Sequence, residues 1–172
     1  MDDLATLIEP QIPALRRYAF ALLRDREAAD DLVQDTLERA IRAWPQRRPD
    51  GDPRAWLFAI LRNLFLSTRR RGRPIAEAAP AALAQVADAA ADPEAALRAR
   101  DVLDLLGGLP EEQRSILLLV AVEDLSYAEA AAVLDVPLGT VMSRLSRARA
   151  RMRAFLDTGG PASLGGRLRR VK

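Results

Sequence analysis

Thr140, Ser143, Arg144, Ser146, Arg147, Arg149, Arg151 and Arg153 recur along one stretch of helical periodicity that holds no acid before Asp157. Guanidinium groups grip phosphates in two-pronged fashion, and arginine and serine side chains hydrogen-bond to base edges in a major groove. The chemistry is recognition; no bond is made or broken. Solvated helices usually interleave acids with bases for i,i+4 pairing, and five arginines in this stretch forgo it, which favours a nucleic-acid face over plain surface. Leu138, Val141, Leu145, Ala148, Met152 and Phe155 recur by threes and fours on the opposite side, predicting one inward stripe. Gly139, in the first turn, lets a neighbouring backbone come close.

The elements that must hold this helix lie just upstream. Ser126 and Glu129 have the spacing of a capping box and start a short helix. Asp135, Val136 and Pro137 break it, and the proline's fixed φ suits the first turn of the next helix. Two helices joined by so tight a turn form a helix-turn-helix, with the basic second helix on DNA. Before it, Pro110, Glu111 and Glu112 open a helix whose run from Ile116 to Val122 is apolar enough to be the buried hub of this half. Asp92 and Pro93 open another, with Leu97, Val102, Leu103 and Leu106 available to pack, ended by Gly107 and Gly108.

A second basic cluster stands in the first half of the chain. After a short acidic lead, Pro13 begins a helix that turns Leu15, Tyr18, Ala19, Leu22 and Leu23 inward and stops near Asp25. The next, over residues 27–44, has an inward stripe of Ala29, Leu32, Val33, Thr36, Leu37, Ala40, Ile41 and Trp44. Its outer face is acidic through Asp30, Asp31, Gln34, Asp35 and Glu38, which is either surface or a dock for a basic partner. A loop over 45–53 carries Arg47 and Arg48, and Asp52 with Pro53 caps a third helix that buries Trp56, Leu57, Ile60, Leu61, Leu64 and Phe65. That helix finishes in Arg69, Arg70, Arg71 and Arg73, more cations than a C-terminal dipole needs. Residues 74–91 are rich in alanine and proline and read as a linker without fixed structure. The Gly-rich and then basic tail over 158–172 is expected to be disordered.

Composition narrows the function classes. The 172 residues suit one ordinary domain or two small ones, and sparse aromatics without strand-like alternation predict an all-α fold. Cysteine and histidine are absent, which removes disulfides, cysteine-bearing zinc sites and the Cys or His systems of many enzymes. The carboxylates fall in no catalytic or metal-binding spacing, so no enzyme activity, metal or cofactor is expected. No apolar run reaches the ~20 residues of a membrane span, and the acidic start is unlike a signal peptide, so the chain is expected in the cytoplasm. The net charge of +2 hides the segregation of acids from bases, and it is this segregation that bears on partners.

Four stretches resemble the bacterial RNA polymerase sigma factors of the extracytoplasmic-function type: DREAADDLVQDTLERAIRAW, WLFAILRN with the arginine run after it, LPEEQR, and LSYAEAAAVLDVPLGTVMSRLSRAR. The resemblance implies a region 2 domain over 1–73, a linker over 74–91, a region 4 domain over 92–157 and a basic tail. It implies that Asp31, Gln34, Asp35 and Glu38 dock on the clamp helices of the largest polymerase subunit. Arg47, Arg48, Arg62 and Asn63 would capture a flipped base of the minus-ten element while Arg69, Arg70 and Arg71 hold its backbone. In region 4, Ser143, Ser146 and Arg147 would face base edges of the minus-thirty-five element, with Thr140, Arg144, Arg149 and Arg151 on flanking phosphates. An anti-sigma protein is the implied regulator, the free chain a monomer, and the linker would thread toward the RNA exit path. Ser67 stands where many members have aspartate, and Met142 where they often have Lys or Arg. The rivals are a one-component helix-turn-helix regulator, which should dimerise over two half-sites, and a sigma-like decoy for an anti-sigma protein, which has no need of basic surfaces.

Overall fold

The computed structural model describes residues 2–47, 51–70 and 93–157, and every regular element among them is helical. The first helical unit holds α1 (Asp2–Ile8), α2 (Ile12–Leu23), α3 (Arg26–Ala43) and α4 (Pro53–Arg70). The second holds α5 (Pro93–Gly107), α6 (Glu111–Leu117), α7 (Tyr127–Leu134) and α8 (Leu138–Asp157). The expected linker over 74–91 and tail over 158–172 lie outside the described residues.

Local signals set the helix ends of the first unit. Arg24 stops α2 in the left-handed region at φ 56, and Asp25 opens α3 by accepting the Ala28 amide at 2.9 Å. Asp52 caps α4 as its sequence predicts, accepting the Arg54 and Ala55 amides at 3.1 and 3.2 Å. Leu15, Tyr18 and Leu22 of α2 pack with Leu32, Val33 and Ala40 of α3 and with Leu57, Leu61 and Phe65 of α4. Phe58 belongs to the same core, its ring meeting that of Tyr18 edge-on at 5.4 Å, so α4 is buried over a wider arc than its sequence stripe. Ile41 departs from expectation at 56% exposure, because it stands ~100° around α3 from buried Ala40. The acidic lead, for which the sequence predicts no element, forms α1 and buries Ile8.

The second unit is built around α6, which runs into a π-helical turn over Leu118–Val122. There the Glu123 amide donates to the Leu118 carbonyl at 3.0 Å. Ile116 to Leu119 are buried but Ala121 and Val122 are exposed, so burial stops midway through the apolar run. A π turn advances the helix phase, and the side chain that follows, Glu123, is turned inward and buried. The capping box forms on α7: Ser126 Oγ accepts the Glu129 amide at 3.2 Å, and the Glu129 carboxylate accepts the Ser126 amide at 2.7 Å. Asp135 takes the left-handed turn at φ 52 between α7 and α8. Val141, Leu145 and Ala148 bury α8 through its middle, while Leu138 and Phe155 at its ends stay largely exposed. A 20-residue helix spans ~30 Å and outreaches α6 with its π turn.

The two units pack on one another, α4 against α7 and α2 against α6, with apolar side chains continuous across the junction.

Candidate nucleic-acid interface

The capped α7 and the turn at Asp135 present α8 with its polar side outward. Ser143 Oγ donates to the Thr140 carbonyl at 3.1 Å, and Arg147 donates to the Ser143 carbonyl and hydroxyl, each at 3.3 Å. Thr140, Ser143 and Arg147 are therefore held together over the first turns. Ser146, Arg149 and Arg151 are exposed on the same helix, and neither Arg149, Arg151 nor Arg153 pairs with an acid among the described residues. Arg144 differs. Its guanidinium is half-buried and pairs with Glu112 at 3.0 Å, bracing α8 against α6.

The cations of α4 have different surroundings. Arg62 is buried, and both its terminal nitrogens meet the carboxylate of Glu111 from the second unit, one of them at 3.2 Å. Arg69 lies 3.6 Å from the same carboxylate. The contact extends into a relay in which Tyr18 donates to Ser115 at 3.1 Å and Ser115 donates to Glu111 at 2.9 Å. Burial pushes the Tyr18 phenol up to about 12, so it stays a neutral donor. Asn63 and Arg70 are exposed, and Arg48 and Arg71 lie outside the described residues. Arg47 donates to the Gly51 carbonyl at 2.6 Å and lies 4.7 Å over the Trp44 ring, which meets Trp56 edge-on at 5.9 Å. The arginine thus closes its own loop on an aromatic floor at the start of α4, whereas Arg70 lies at the far end of that helix.

Sequence reasoning missed the residues that join the units. Arg114 donates to the carbonyls of Leu106, Gly107, Leu109 and Leu22, at 2.9 to 3.3 Å, and so caps the ends of α5 and α2 together. Burial lowers its pKa, yet an arginine stays charged at any physiological pH. Glu123 receives Arg17 at 2.9 Å and Arg54 at 3.3 Å, and Arg24 pairs with Asp104 at 2.6 Å. Three roles therefore fall in LPEEQR: Glu111 crosses to α4, Glu112 holds Arg144, and Arg114 ties two helix ends.

Asp31, Gln34, Asp35 and Glu38 are all exposed along α3. Glu38 pairs with Arg42 at 3.2 Å, while Asp30 is drawn aside to Arg16 at 3.2 Å. A groove of about 370 Å³ opens beside them, lined by Asp35, Glu38, Arg39, Arg42 and, from α4, Leu64. Among the described residues no cluster of acids could hold a metal ion, and no helix is long and apolar enough to cross a membrane.

Residues 8–62 match the family described as the Sigma2 domain of PhyR, and residues 99–152 match Sigma-70, region 4. The chain is 37% identical to the ECF RNA polymerase sigma factor EcfG of Rhodopseudomonas palustris, over 95% of this chain and 91% of that protein. Its fold is similar to that of the sigma factor RpoE of Bartonella quintana, solved in complex with the anti-sigma factor NepR. The TM-score is 0.76 at 32% identity, covering 92% of this chain and 99% of that one. CnrH, solved with the cytosolic domain of CnrY, matches with a TM-score of 0.69 at 31% identity, over 91% of this chain and 88% of that one.

Proposed function

Because this chain belongs to the ECF RNA polymerase sigma factors, we propose that its acidic and basic faces divide polymerase docking from promoter reading. The protein is a transcription initiation factor that binds core RNA polymerase and directs it to promoters. It acts by binding, in the cytoplasm, as a monomer before it meets the polymerase. Residues 1–73 and 92–157 are its two working domains, 74–91 the linker between them and 158–172 a basic tail. Asp31, Gln34, Asp35 and Glu38 meet the clamp helices of the largest polymerase subunit. Arg47, Arg48, Arg62, Asn63, Arg69, Arg70 and Arg71 serve the minus-ten element. Thr140, Ser143, Arg144, Ser146, Arg147, Arg149 and Arg151 serve the minus-thirty-five element, with Arg144 doing so only if it leaves Glu112.

The observation that carries this reading is the outward face of α8, where Arg149, Arg151 and Arg153 stand without a described acid to neutralise them. Such a face attracts a polyanion and gives up little on binding one. The packing of the two units corresponds to the chain without DNA, since Arg62 and Arg69 reach a minus-ten strand only after Glu111 releases them. An anti-sigma protein is the proposed regulator, by likeness to RpoE, which was solved with NepR.

A decoy reading has one observation in its favour, the match of residues 8–62 to a domain of PhyR. Core polymerase separates the two. A chain carrying both Asp31→Arg and Asp35→Arg should lose at least about tenfold in affinity for core enzyme, because like charges then meet at the interface, with its helical content unchanged. Promoter-directed transcription by the wild-type chain with core polymerase supports the initiation role, and a chain that binds an anti-sigma protein but neither core nor promoter is a decoy. Unchanged core affinity in the double variant returns the acidic face to plain surface.

A further inference from the structure

Met142 is the most exposed large apolar side chain of α8, at 54%, and it stands in the second turn of the helix proposed to enter the groove. A lone exposed methionine is ordinary. This one is not alone. Met142, Ser146, Arg149 and Arg153 follow one another at i, i+4, i+7 and i+11 and line one flank of α8. With Tyr127 from the first turn of α7 and Leu145 beneath, they form an open groove of about 210 Å³. Tyr127 is itself 37% exposed, so two apolar groups face solvent across a shallow cleft whose rim is guanidinium. No acid lines it.

We propose that Met142, backed by Tyr127, is a base-reading residue that packs on the C5-methyl of a thymine in the minus-thirty-five element. The inference rests on the promoter-binding reading and adds to it a determinant of sequence. Charge selects the occupant. An apolar floor at Met142 and Tyr127, about two to three turns ahead of Arg149 and Arg153 on the same flank, suits a strand whose phosphates meet the guanidinium groups while one base edge meets the thioether. Of the groups displayed in a major groove, only the thymine methyl is apolar. The unbranched, polarizable methionine side chain conforms to such a methyl without a fixed rotamer. Position supports it as well, because residues in the early turns of a recognition helix reach base edges and later ones meet the backbone. Met142 directly precedes Ser143, whose hydroxyl is fixed on the Thr140 carbonyl and held by Arg147. An apolar reader and a polar reader thus occupy consecutive positions, about 100° apart around the helix.

The test uses the full chain assembled with core polymerase. The preferred minus-thirty-five element is first selected from a randomised promoter library, and each thymine on either strand is then replaced by deoxyuridine, which removes only the methyl. Binding should weaken about fourfold at one position, the expected effect of no longer burying one methyl-sized group, and stay level at the others. Met142→Ala should abolish that difference while the remaining sequence preference persists, and Met142→Lys should erase the thymine preference at that position and steepen the salt dependence. The inference is overturned if wild-type binding is indifferent to deoxyuridine at every position, or if Met142→Ala keeps the methyl sensitivity. In either case the cleft is left to a protein partner. Failure to assemble with polymerase or to select any promoter would instead strike the initiation role, which the wild-type arm reads before any variant is tested.

Discussion

Arg62 and Arg149 carry the same guanidinium into opposite surroundings. Arg62 is buried on α4 with both terminal nitrogens on Glu111 of the other unit, and Arg149 is exposed on α8 with no described acid in reach. Arg62 stands in the apolar run from Leu57 to Leu66 and Arg149 in a basic one, but neither setting names the partner of its guanidinium. What differs is the supply of carboxylate from a distant part of the chain. The consequence bears on the proposed function: the face proposed for the minus-thirty-five element is open to phosphate, whereas two of the cations proposed for the minus-ten element, Arg62 and Arg69, are already occupied by an internal anion. Glu111 holds the two guanidinium groups that the proposed function assigns to the minus-ten strand.

The largest expected effect comes from removing that anion. Glu111→Ala leaves Arg62 buried without a partner, a change that typically costs about 3 kcal/mol or more, and here it falls on the junction between the units. The chain should expand in small-angle scattering, and its affinity for a single-stranded minus-ten oligonucleotide should rise about tenfold as Arg62 and Arg69 are released. Binding to duplex minus-thirty-five DNA should not change. If the variant stays as compact as wild type and gains no single-strand affinity, the occupied surface and the ready surface are not distinguished in the way proposed.

The second expected effect is at high pH. The phenol of Tyr18, pushed up to about 12 by burial, binds its proton more tightly in the packed chain than when exposed, where it titrates near 10. A group whose pKa is raised on folding contributes stability that is fully present below the exposed value and is lost as pH rises through the packed one. The junction should therefore weaken between about pH 10 and pH 12, by about 3 kcal/mol in all. Tyr18→Phe should remove this dependence, since no phenol remains to ionise, and should lower stability at neutral pH by about 1 kcal/mol through the lost donor to Ser115. Equal alkaline sensitivity in the two proteins would assign the titration elsewhere.

How much of this was legible in the sequence follows from the same contrast. The caps at Asp52 and at Ser126 with Glu129 were readable because each acts within three residues of itself. So was the break at Asp135 to Pro137, and with it the outward face of α8. The contacts joining the units were not. Glu111 meets Arg62 across 49 positions, Arg114 meets the Leu22 carbonyl across 92, and Glu123 meets Arg17 across 106, and no local pattern encodes such partners. Phe58 was missed because α4 is covered on two sides, which widens its buried arc beyond one stripe. The π turn had no signal either, since the apolar run there contains no glycine or proline to mark it.

Within α8 the comparison can be sharpened further, because Arg147 is braced by Ser143, whereas no hydrogen bond or ion pair braces Arg149 among the described residues. Arg147→Ala should cost roughly 1 to 2 kcal/mol and flatten preference at one position of a randomised minus-thirty-five library, as expected when a two-pronged base contact is lost. A uniform loss over all sequences would move Arg147 to the backbone class and leave base reading to Ser143 and Ser146, or to groove shape.

The smallest effect separates Arg149 from Arg62 most cleanly. A phosphate contact releases condensed counterions, so Arg149→Ala should weaken every minus-thirty-five sequence alike and lower the slope of log affinity against log salt by about 0.9. Preference should not move. Arg62→Ala, measured on the same duplex with the same polymerase, should leave that slope untouched, because Arg62 belongs to the other unit and has no proposed phosphate on this element. The two variants remove the same charge from the same chain, so a change in net charge alone predicts equal slopes. Unequal slopes require that only one guanidinium meets duplex phosphate. Equal reductions in both would mean that the salt dependence reports the protein's overall field rather than contacts, and the distinction between Arg149 and Arg62 would then have no bearing on how the protein holds its minus-thirty-five element.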